Sequence, residues 1–321
     1  MSGERISVAL CTHNGGSFLK ELLDSLDAQT VRPAELIVCD DVSIDETLDI
    51  LKDFERHASY PVKIYCNPVR LGVVRNFDQA IRRCSGQIIA LSDQDDIWYP
   101  EKLARLVPKL AEPGCYATFC NADVVDEALR PMGYTIWQRV CFTPVEQRAI
   151  AAGHAIDVLL KHDVVTGATL AFRAELVPFL KDMPEHWPHD AWIAVVAAVC
   201  GGLTLVDEPL LAYRQHYGNV VGGRKKAWTR EAVAALNMDR ANYYRKELER
   251  WGVLMARLYD MPAKQSVSNS LAAKLAHLSR RASLPPIRLQ RIAGVARELF
   301  LGNYSRYARN WGSVAIDLLV R

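Results

Sequence analysis

The sequence lacks any uninterrupted apolar run long enough to cross a membrane. A membrane-spanning helix needs roughly 18 apolar residues, whereas the longest candidate, residues 191–206, has 16 residues and includes two glycines. The first residues also lack the pattern of a signal peptide, because the strand-like residues 6–10 are followed at once by His13 and Asn14. These absences lead us to expect a cytoplasmic protein.

Cysteine patterns that bind zinc or cycle between thiol and disulfide are missing as well. The eight cysteines include no Cys-x-x-Cys pair, and most lie in apolar, strand-like segments. We therefore expect reduced cysteines in the core of a cytosolic protein. His186 and His189 do not indicate a zinc site, because Pro184 and Pro188 keep the two histidines off a common helical face.

Internal repeats and low-complexity tracts are also absent, which leaves an ordinary globular composition. The chain has 321 residues, of which 50% are apolar and 24% charged. This balance excludes a disordered, collagen-like or coiled-coil protein. The length fits one large domain or two modest ones.

The small net charge of +2 hides a division along the chain. Residues 1–221 hold 20 basic and 30 acidic residues, whereas residues 222–321 hold 19 basic and 7 acidic residues. The first part is too acidic for a nucleic-acid surface, and its carboxylates could serve a divalent metal. The second part suits an anionic lipid surface or a phosphate-bearing partner, or else it is a solvated helix face or an oligomer contact. We predict a domain in residues 1–222 and a basic helical region in residues 223–321.

Hydrophobic periodicity predicts alternating strands and helices in the first hundred residues. The strand-like runs are residues 6–10, 36–39, 62–66 and 87–91, with helical spacing of apolar residues between them. Such alternation predicts an α/β fold with a mostly parallel sheet flanked by helices. The last hundred residues lack strand patterns and have helical spacing. In parallel sheets of this kind, ligands bind at the carboxyl ends of the strands.

Polar and acidic residues follow three of the predicted strands at this edge. Residues 11–16 follow the first strand, residues 40–45 the second, and residues 92–98 the fourth. Neighbouring carboxylates raise each other's pKa unless a cation lies among them. Asp93 and Asp95, in an Asp-x-Asp pattern at a strand end, offer the hard oxygen ligands that suit Mg²⁺ or Mn²⁺. The sequence therefore predicts a metal-and-ligand site at this edge.

Four ordered motifs resemble those of the family-2 inverting glycosyltransferases, which have the GT-A fold. The motifs are residues 6–14, 36–47, 67–76 and 91–98. The resemblance covers roughly residues 5–220 and implies that residues 1–222 form a GT-A-like, nucleotide-binding catalytic domain. Residues 213–222 are similar to the Tyr-Arg-Gln-His-x-x-Asn form of rhamnosyltransferase-like members.

The resemblance implies a donor site for a nucleotide sugar and a divalent metal, Mg²⁺ or Mn²⁺, that bridges the diphosphate. Position by position, the residues implied to bind the donor are Cys11, His13, Asp41, Arg75, Asp93, Asp96 and His216. The residues implied to bind the metal are Asp93, Asp95 and His216.

The acceptor side follows from a second set of matching positions. Asp190 matches the family's catalytic base, and inverting transfer needs such a carboxylate to remove the proton of the attacking hydroxyl. An alternative is that Asp190 only caps the helix that follows it. The residues implied to lie near the acceptor are Thr166, Gly167, His189 and Trp192.

The predicted function is metal-dependent, inverting transfer of a sugar to a hydroxyl of a glycan or lipid-linked acceptor. Rhamnose from dTDP-rhamnose is the favoured donor and a UDP-hexose is next. The resemblance implies a glycan acceptor on a polyprenyl diphosphate, in cell-surface polysaccharide or O-antigen assembly, and peripheral attachment to the inner face of the membrane. Two alternatives stay open. A nucleotidyltransferase would carry an Arg- or Lys-bearing Gly-rich loop, which Gly15-Gly16 matches poorly. A non-catalytic glycan- or lipid-binding module would not need Asp190.

Overall fold

A computed structural model describes residues 4–216, 239–309 and 311–320. These residues form two compact units. The N-terminal unit comprises residues 4–153 and 164–216, and the C-terminal unit comprises residues 154–163 and those after residue 238. The predicted boundary between residues 222 and 223, and most of the segment 213–222, lie outside the described residues.

The N-terminal unit is built on one nine-stranded sheet. Its strand order is β3-β2-β1-β4-β8-β6-β9-β5, and β7 pairs with β6 at the side of this path. The strands are β1 (Ile6–Thr12), β2 (Glu35–Asp40), β3 (Val62–Cys66), β4 (Ile88–Asp93), β5 (Ile97–Trp98), β6 (Ala117–Asp126), β7 (Pro131–Thr135), β8 (Leu170–Arg173) and β9 (Leu203–Gln215).

Helices connect these strands, as the periodicity predicts. The helices of the N-terminal unit are α1 (Gly16–Asp27), α2 (Thr47–His57), α3 (Val73–Arg83), α4 (Lys102–Leu110), α5 (Ile136–Arg139), α6 (Pro144–Ala151), α8 (Val177–Leu180) and α9 (His189–Cys200). Short 3-10 turns occupy Gly167–Thr169 and Ala174–Leu176.

The two halves of the sheet differ in strand direction. Strands β3, β2, β1 and β4 are all parallel, and every residue of β2 is buried, as expected for strands covered on both faces. In the other half, β8 runs antiparallel to both β4 and β6, and β5 runs antiparallel to β9. The predicted α/β fold is confirmed, and the sheet is mixed rather than mostly parallel.

The parallel half brings the ends of three strands to one edge. Cys11 on β1 is in register with Cys39 on β2 and with Asp93 on β4. The loops that leave these strands therefore begin side by side. Strand β9 pairs with β5, and Ile97 is in register with Ala212. The end of β9 therefore lies close to the turn that follows β4.

The C-terminal unit is helical throughout the residues that the structure describes. Its helices are α7 (Ala155–Leu159), α10 (Arg240–Arg257), α11 (Gln265–Ala282), α12 (Arg288–Phe300), α13 (Asn303–Tyr307) and α14 (Trp311–Leu319), with a 3-10 turn at Leu258–Asp260. Within the described ranges, no helix of either unit combines the length and apolarity that crossing a bilayer requires.

Buried charged residues organise the core of this unit. The Asp317 carboxylate is fully buried and accepts hydrogen bonds from the Tyr244 and Tyr304 hydroxyls, each at 2.5 Å, and from Arg281 Nε at 2.6 Å. Glu298, also buried, accepts from His277 Nδ1 at 2.6 Å. Several of the region's basic residues are therefore structural, because their charges are paired inside the helical core.

Candidate active site

Three acidic residues gather at the end of β4. Asp93 is the last residue of the strand, and Asp95 and Asp96 lie in the turn before β5. Burial and the nearby carboxylates of Asp95 and Asp190 raise the pKa of Asp93 to about 7. Burial and the carboxylates of Asp95 and Asp93 likewise raise the pKa of Asp96. Asp190, the predicted base, is therefore close enough to Asp93, a predicted metal ligand, for their charges to interact.

Arg214 near the end of β9 holds the acidic turn in place. Its backbone N–H donates to Asp96 Oδ1 at 3.0 Å, and its Nε donates to the Asp95 carbonyl at 2.8 Å. The guanidinium also forms an ion pair with Glu21 and donates to the Glu127 carbonyl at 2.7 Å. Because Arg214 is almost fully buried, these contacts fix the turn against β9. The second oxygen of Asp96 is buried without a hydrogen-bond partner among the described residues.

His216, the residue after β9, lies beside the same turn. Its Nε2 atom is 2.7 Å from Asp95 Oδ2, and both side chains are mostly buried. Across the described residues, no three His, Cys, Asp or Glu side chains converge on a ready-made metal site.

Lys102, which the sequence analysis missed, lies under the acidic cluster. The side chain is fully buried, with Nζ 3.2 Å from the ring centroid of Trp98 and 2.6 Å from the Ala168 carbonyl that accepts its hydrogen bond. Burial lowers the pKa of Lys102 to about 7, although Asp96 and Asp93 favour its charged form. A lysine at a helix start normally faces solvent, so the sequence carried no signal for this position.

Gln94, which lies between Asp93 and Asp95, holds the loop after β1. Gln94 accepts a hydrogen bond from the His13 backbone N–H at 2.8 Å and donates to the His13 carbonyl at 3.0 Å. The His13 ring lies against the second strand end, with Nδ1 2.7 Å from the Asp41 carbonyl. Cys11 is half-buried at the end of β1, and burial raises the pKa of its thiol. Their contacts with a nucleotide stay predictions.

Asp41 organises the loop that follows β3. It is buried, and its two carboxylate oxygens accept from Asn67 Nδ2 at 2.9 Å and from the backbone N–H groups of Leu71 at 2.7 Å and Gly72 at 2.8 Å. Burial alone would raise the pKa of Asp41, but these hydrogen bonds lower it below its usual range. Asp41 is therefore an ionised anchor, and its contact with the donor ribose stays a prediction.

Arg75, which is predicted to bind the nucleotide-sugar donor, lies outside the acidic cluster. It lies in the first turn of α3 and forms an ion pair with Glu185. More than half of each side chain is exposed, so the pair is a weak surface interaction. A phosphate contact by Arg75 stays a prediction.

The predicted base is oriented by two backbone N–H groups. Asp190 Oδ2 accepts from Gly167 at 2.9 Å, and Oδ1 accepts from Ala191 at 2.8 Å. The cap position of α9 belongs to Pro188, and the bond from Gly167 comes from outside the helix. Asp190 therefore does more than cap α9, because its carboxylate also ties that helix to the turn beginning at Thr166.

His189 lies beside the base on the same turn of α9. Its ring stacks on Phe77 with centroids 4.0 Å apart and planes 11° from parallel. Burial lowers the pKa of His189, although Asp190 favours the charged form. Its Nε2 is buried with no hydrogen-bond partner in the described part of the chain. Trp192 is fully buried and packs against Trp187, so its predicted acceptor contact stays a prediction.

Comparison with known proteins finds similarity to glycosyltransferases. Residues 7–159 match the model of glycosyl transferase family 2. The dTDP-rhamnosyl transferase RfbG of Shigella flexneri is 25% identical over 255 residues, which cover 74% of this chain and 82% of RfbG. The chain covers 63% of the length of other curated relatives that it matches, also at 25% identity.

Two solved structures share the fold. A structure of Staphylococcus aureus TarS in complex with UDP-GlcNAc has a TM-score of 0.55 at 16% identity, covering 91% of this chain and 80% of that one. The mannosyltransferase PcManGT of Pyrobaculum calidifontis, in complex with GDP-Man and Mn²⁺, has a TM-score of 0.57 at 19% identity, covering 98% of this chain and 85% of that one. The family match is thus confined to residues 7–159, and the chain shares the GT-A fold of these two structures.

Proposed function

We propose that this protein is an inverting glycosyltransferase that moves a sugar from a nucleoside diphosphate donor to an acceptor hydroxyl. The observation that carries the proposal is the pairing of two acidic groups in one site. Asp190 is near enough to Asp93 to raise its pKa, yet its own oxygens are oriented by Gly167 and Ala191. Asp93 suits a metal that binds the donor diphosphate, and Asp190 suits the acceptor hydroxyl.

Asp190 acts as the general base of a single displacement. Its carboxylate removes the proton of the acceptor hydroxyl as that oxygen forms a bond to the anomeric carbon. The bond from the anomeric carbon to the diphosphate breaks at the same time, and its electron pair leaves with the nucleoside diphosphate. General-base help of this kind contributes roughly 10²–10⁴-fold to the rate. His189, packed on Phe77 beside the base, favours its neutral form and adds no competing charge.

The residues at the end of β4 fit a divalent cation. Asp93 and Asp95 would hold it, with His216 as a third contact, beside the buried oxygen of Asp96 that has no partner among the described residues. Burial and the carboxylates of Asp95 and Asp190 raise the pKa of Asp93, and a bound cation would favour its ionised form. When bound, the metal supplies positive charge that stabilises the departing diphosphate.

The favoured donor is dTDP-rhamnose, and a UDP-hexose is the second choice. Support comes from a relative, RfbG, whose name is dTDP-rhamnosyl transferase. The fold neighbour solved with UDP-GlcNAc supports the second choice. The acceptor we propose is a glycan carried on a polyprenyl diphosphate, in cell-surface polysaccharide or O-antigen assembly.

Peripheral attachment to an anionic membrane completes the proposal. Helix α12 buries Arg291, Val295 and Glu298 on one face. Its other face exposes Leu289 and Phe300 at helical spacing, with further apolar and basic side chains alongside. Ile292, Ala293 and Ala296 are exposed on the same stripe, and the exposed Arg288, Gln290 and Arg297 flank it. An exposed apolar stripe flanked by arginines is typical of helices that lie in the membrane interface.

A donor panel tests the function directly. The protein is incubated with dTDP-rhamnose, UDP-glucose or GDP-mannose and a polyprenyl-linked acceptor, and released nucleoside diphosphate and the product's anomeric configuration are measured. We expect release with one donor series and inversion at the anomeric carbon. Retention would refute the single displacement. Binding without release would favour a non-catalytic module, and pyrophosphate release from a nucleoside triphosphate would favour a nucleotidyltransferase.

A further inference from the structure

The C-terminal unit contains a cavity of about 270 Å³ that the proposed reaction does not use. Its walls come from residues 159–163, from α10 and α11, and from the chain around α13 and α14. All of these segments belong to the same compact unit. The cavity therefore lies within the C-terminal unit.

The cavity has an excess of positive charge. Among the lining residues that the structure describes, the carboxylates are those of Asp163 and Glu247. Asp163 is already engaged, because it forms an ion pair of 2.7 Å with Arg250. The lining lysines and arginines are Lys161, Arg250, Lys274, Arg281 and Arg309.

Arg250 and Arg281 form ion pairs with carboxylates, whereas Lys274 has no carboxylate within ion-pair distance among the described residues. Arg281 pairs with Asp317 at 2.6 Å and donates to the Ser313 carbonyl at 3.2 Å. Lys274 is 4% exposed and donates to the Tyr307 carbonyl at 2.7 Å. It forms no ion pair with a carboxylate of the described residues. An ammonium has three donors, so two N–H groups of Lys274 are left for a ligand.

Burial and the neighbouring arginines disfavour the charged form of this lysine. Burial lowers the pKa of Lys274 to about 8, although Glu247 and Asp163 favour its charged form, while Arg281 and Arg250 oppose it. The Trp251 ring lies 5.3 Å from its Nζ and supplies an aromatic wall. A bound anion would offset the excess positive charge of the lining and accept the remaining hydrogen bonds of Lys274.

We propose that this cavity binds the phosphate or diphosphate group of a phosphate-bearing ligand, with Lys274 as its central contact. Phosphate oxygens are acceptors that match several converging cationic donors. The volume accommodates a phosphate or diphosphate with a small attached group, and the Trp251 and Tyr243 side chains line the space beside it. The ligand is either a soluble phosphate ester or a phospholipid head group.

Calorimetric titration of the full chain with sodium pyrophosphate tests the site. EDTA is present throughout, so that metal-dependent binding at the donor site does not contribute. We expect Lys274→Gln to bind roughly tenfold more weakly than wild type, since a hydrogen bond to a charged group is removed. The matched control, Lys246→Gln, removes an exposed lysine of the same unit and keeps the affinity. Asp93→Asn also keeps it, which separates this site from the donor site.

The result that overturns the proposal is absence of binding by wild type, or equal binding by Lys274→Gln and Lys246→Gln. Should Lys274→Gln fail to fold, as judged by its thermal melt, the half-buried Lys161 at the cavity gives a second variant. Lys161→Gln is then expected to weaken binding about threefold, and unchanged binding refutes the site.

Competition distinguishes the two sources of phosphate. Phosphatidylcholine vesicles with and without phosphatidic acid are added to the protein saturated with pyrophosphate. Displacement of pyrophosphate only by the phosphatidic acid vesicles supports the site with a lipid head group as its ligand. Retention of pyrophosphate against both vesicles supports the site with a soluble phosphate ester as its ligand.

Discussion

The Nε2 atom of His216 lies 2.7 Å from a carboxylate oxygen of Asp95, which fastens the end of β9 to the turn that follows β4. The His216 ring also packs against Phe18 of α1, with centroids 4.8 Å apart. Three elements distant in sequence therefore fix one carboxylate of the proposed metal site. The position of His216 makes it either a metal ligand itself or the residue that orients Asp95.

Substitution of His216 is expected to weaken the metal-dependent part of donor binding. We predict that His216→Ala raises the Mn²⁺ concentration needed for half-maximal nucleotide binding by roughly 10–100-fold, as loss of a ligand or its orienting partner does. The exposed His57 provides the control, because His57→Ala removes the same ring far from the cluster. Equal Mn²⁺ requirements for the two variants would contradict a role for His216 at the metal.

Asp190→Asn is expected to remove transfer and spare donor binding. The amide keeps a similar shape but takes no proton, so kcat should fall by roughly 10²–10⁴-fold. The nucleotide affinity, measured by calorimetry, should stay close to wild type. Asp207→Asn, at an exposed position on β9, serves as the control and should keep full activity. An Asp190→Asn enzyme with normal turnover would exclude Asp190 as the base.

Gly167 is predicted to tolerate no side chain, because the space belongs to His189. A Cβ on Gly167 would lie 2.6 Å from His189 Nε2, and that ring is held by its stacking on Phe77. Gly167→Ala should therefore displace the first turn of α9 and reduce kcat at least about tenfold. Gly252 in α10 has open space, so Gly252→Ala should keep activity and gain roughly 0.5–1 kcal/mol of unfolding free energy. Equal activity in both variants would refute the packing argument.

The parallel half of the fold could be predicted because its strands are short apolar runs separated by amphipathic helices. The other half, in which parallel and antiparallel pairs are mixed, could not be predicted in this way. Strand β5 has two residues, and β7 has exposed and half-buried residues without a clean alternation. Strands β6 and β9 are long because their pairing continues past register shifts that no local pattern reveals.

The position of Asp93 and Asp95 could be predicted because both follow the apolar run of a strand whose end lies at the expected ligand-binding edge. Residues whose role depends on their being buried could not be predicted from the sequence. Lys102 interacts electrostatically with Asp93 and Asp96, and Gln94 binds the first loop, yet each is a common surface residue type. Trp192, predicted from its motif position, is fully buried because α9 is apolar on almost every face.

Membrane association is predicted to depend on the exposed face of α12. Replacing both Leu289 and Phe300 with Gln should weaken binding to anionic vesicles roughly tenfold or more, because each side chain buries apolar area in the interface. Binding is measured by vesicle sedimentation. Tyr259→Gln removes another highly exposed ring outside α12 and should leave binding unchanged. Equal losses in both variants would indicate that α12 has no specific part in membrane binding.

Calorimetric titration with dTDP, UDP, GDP and CMP, with and without Mn²⁺, tests the proposed donor site most directly. Wild type should bind dTDP or UDP in a metal-dependent manner, and Asp93→Asn should lose at least about tenfold in that affinity. Asp207→Asn should bind like wild type. If no nucleotide binds in the presence of metal, or if Asp93→Asn binds as tightly as wild type, the acidic edge of the sheet is not a donor site and the proposed reaction is wrong.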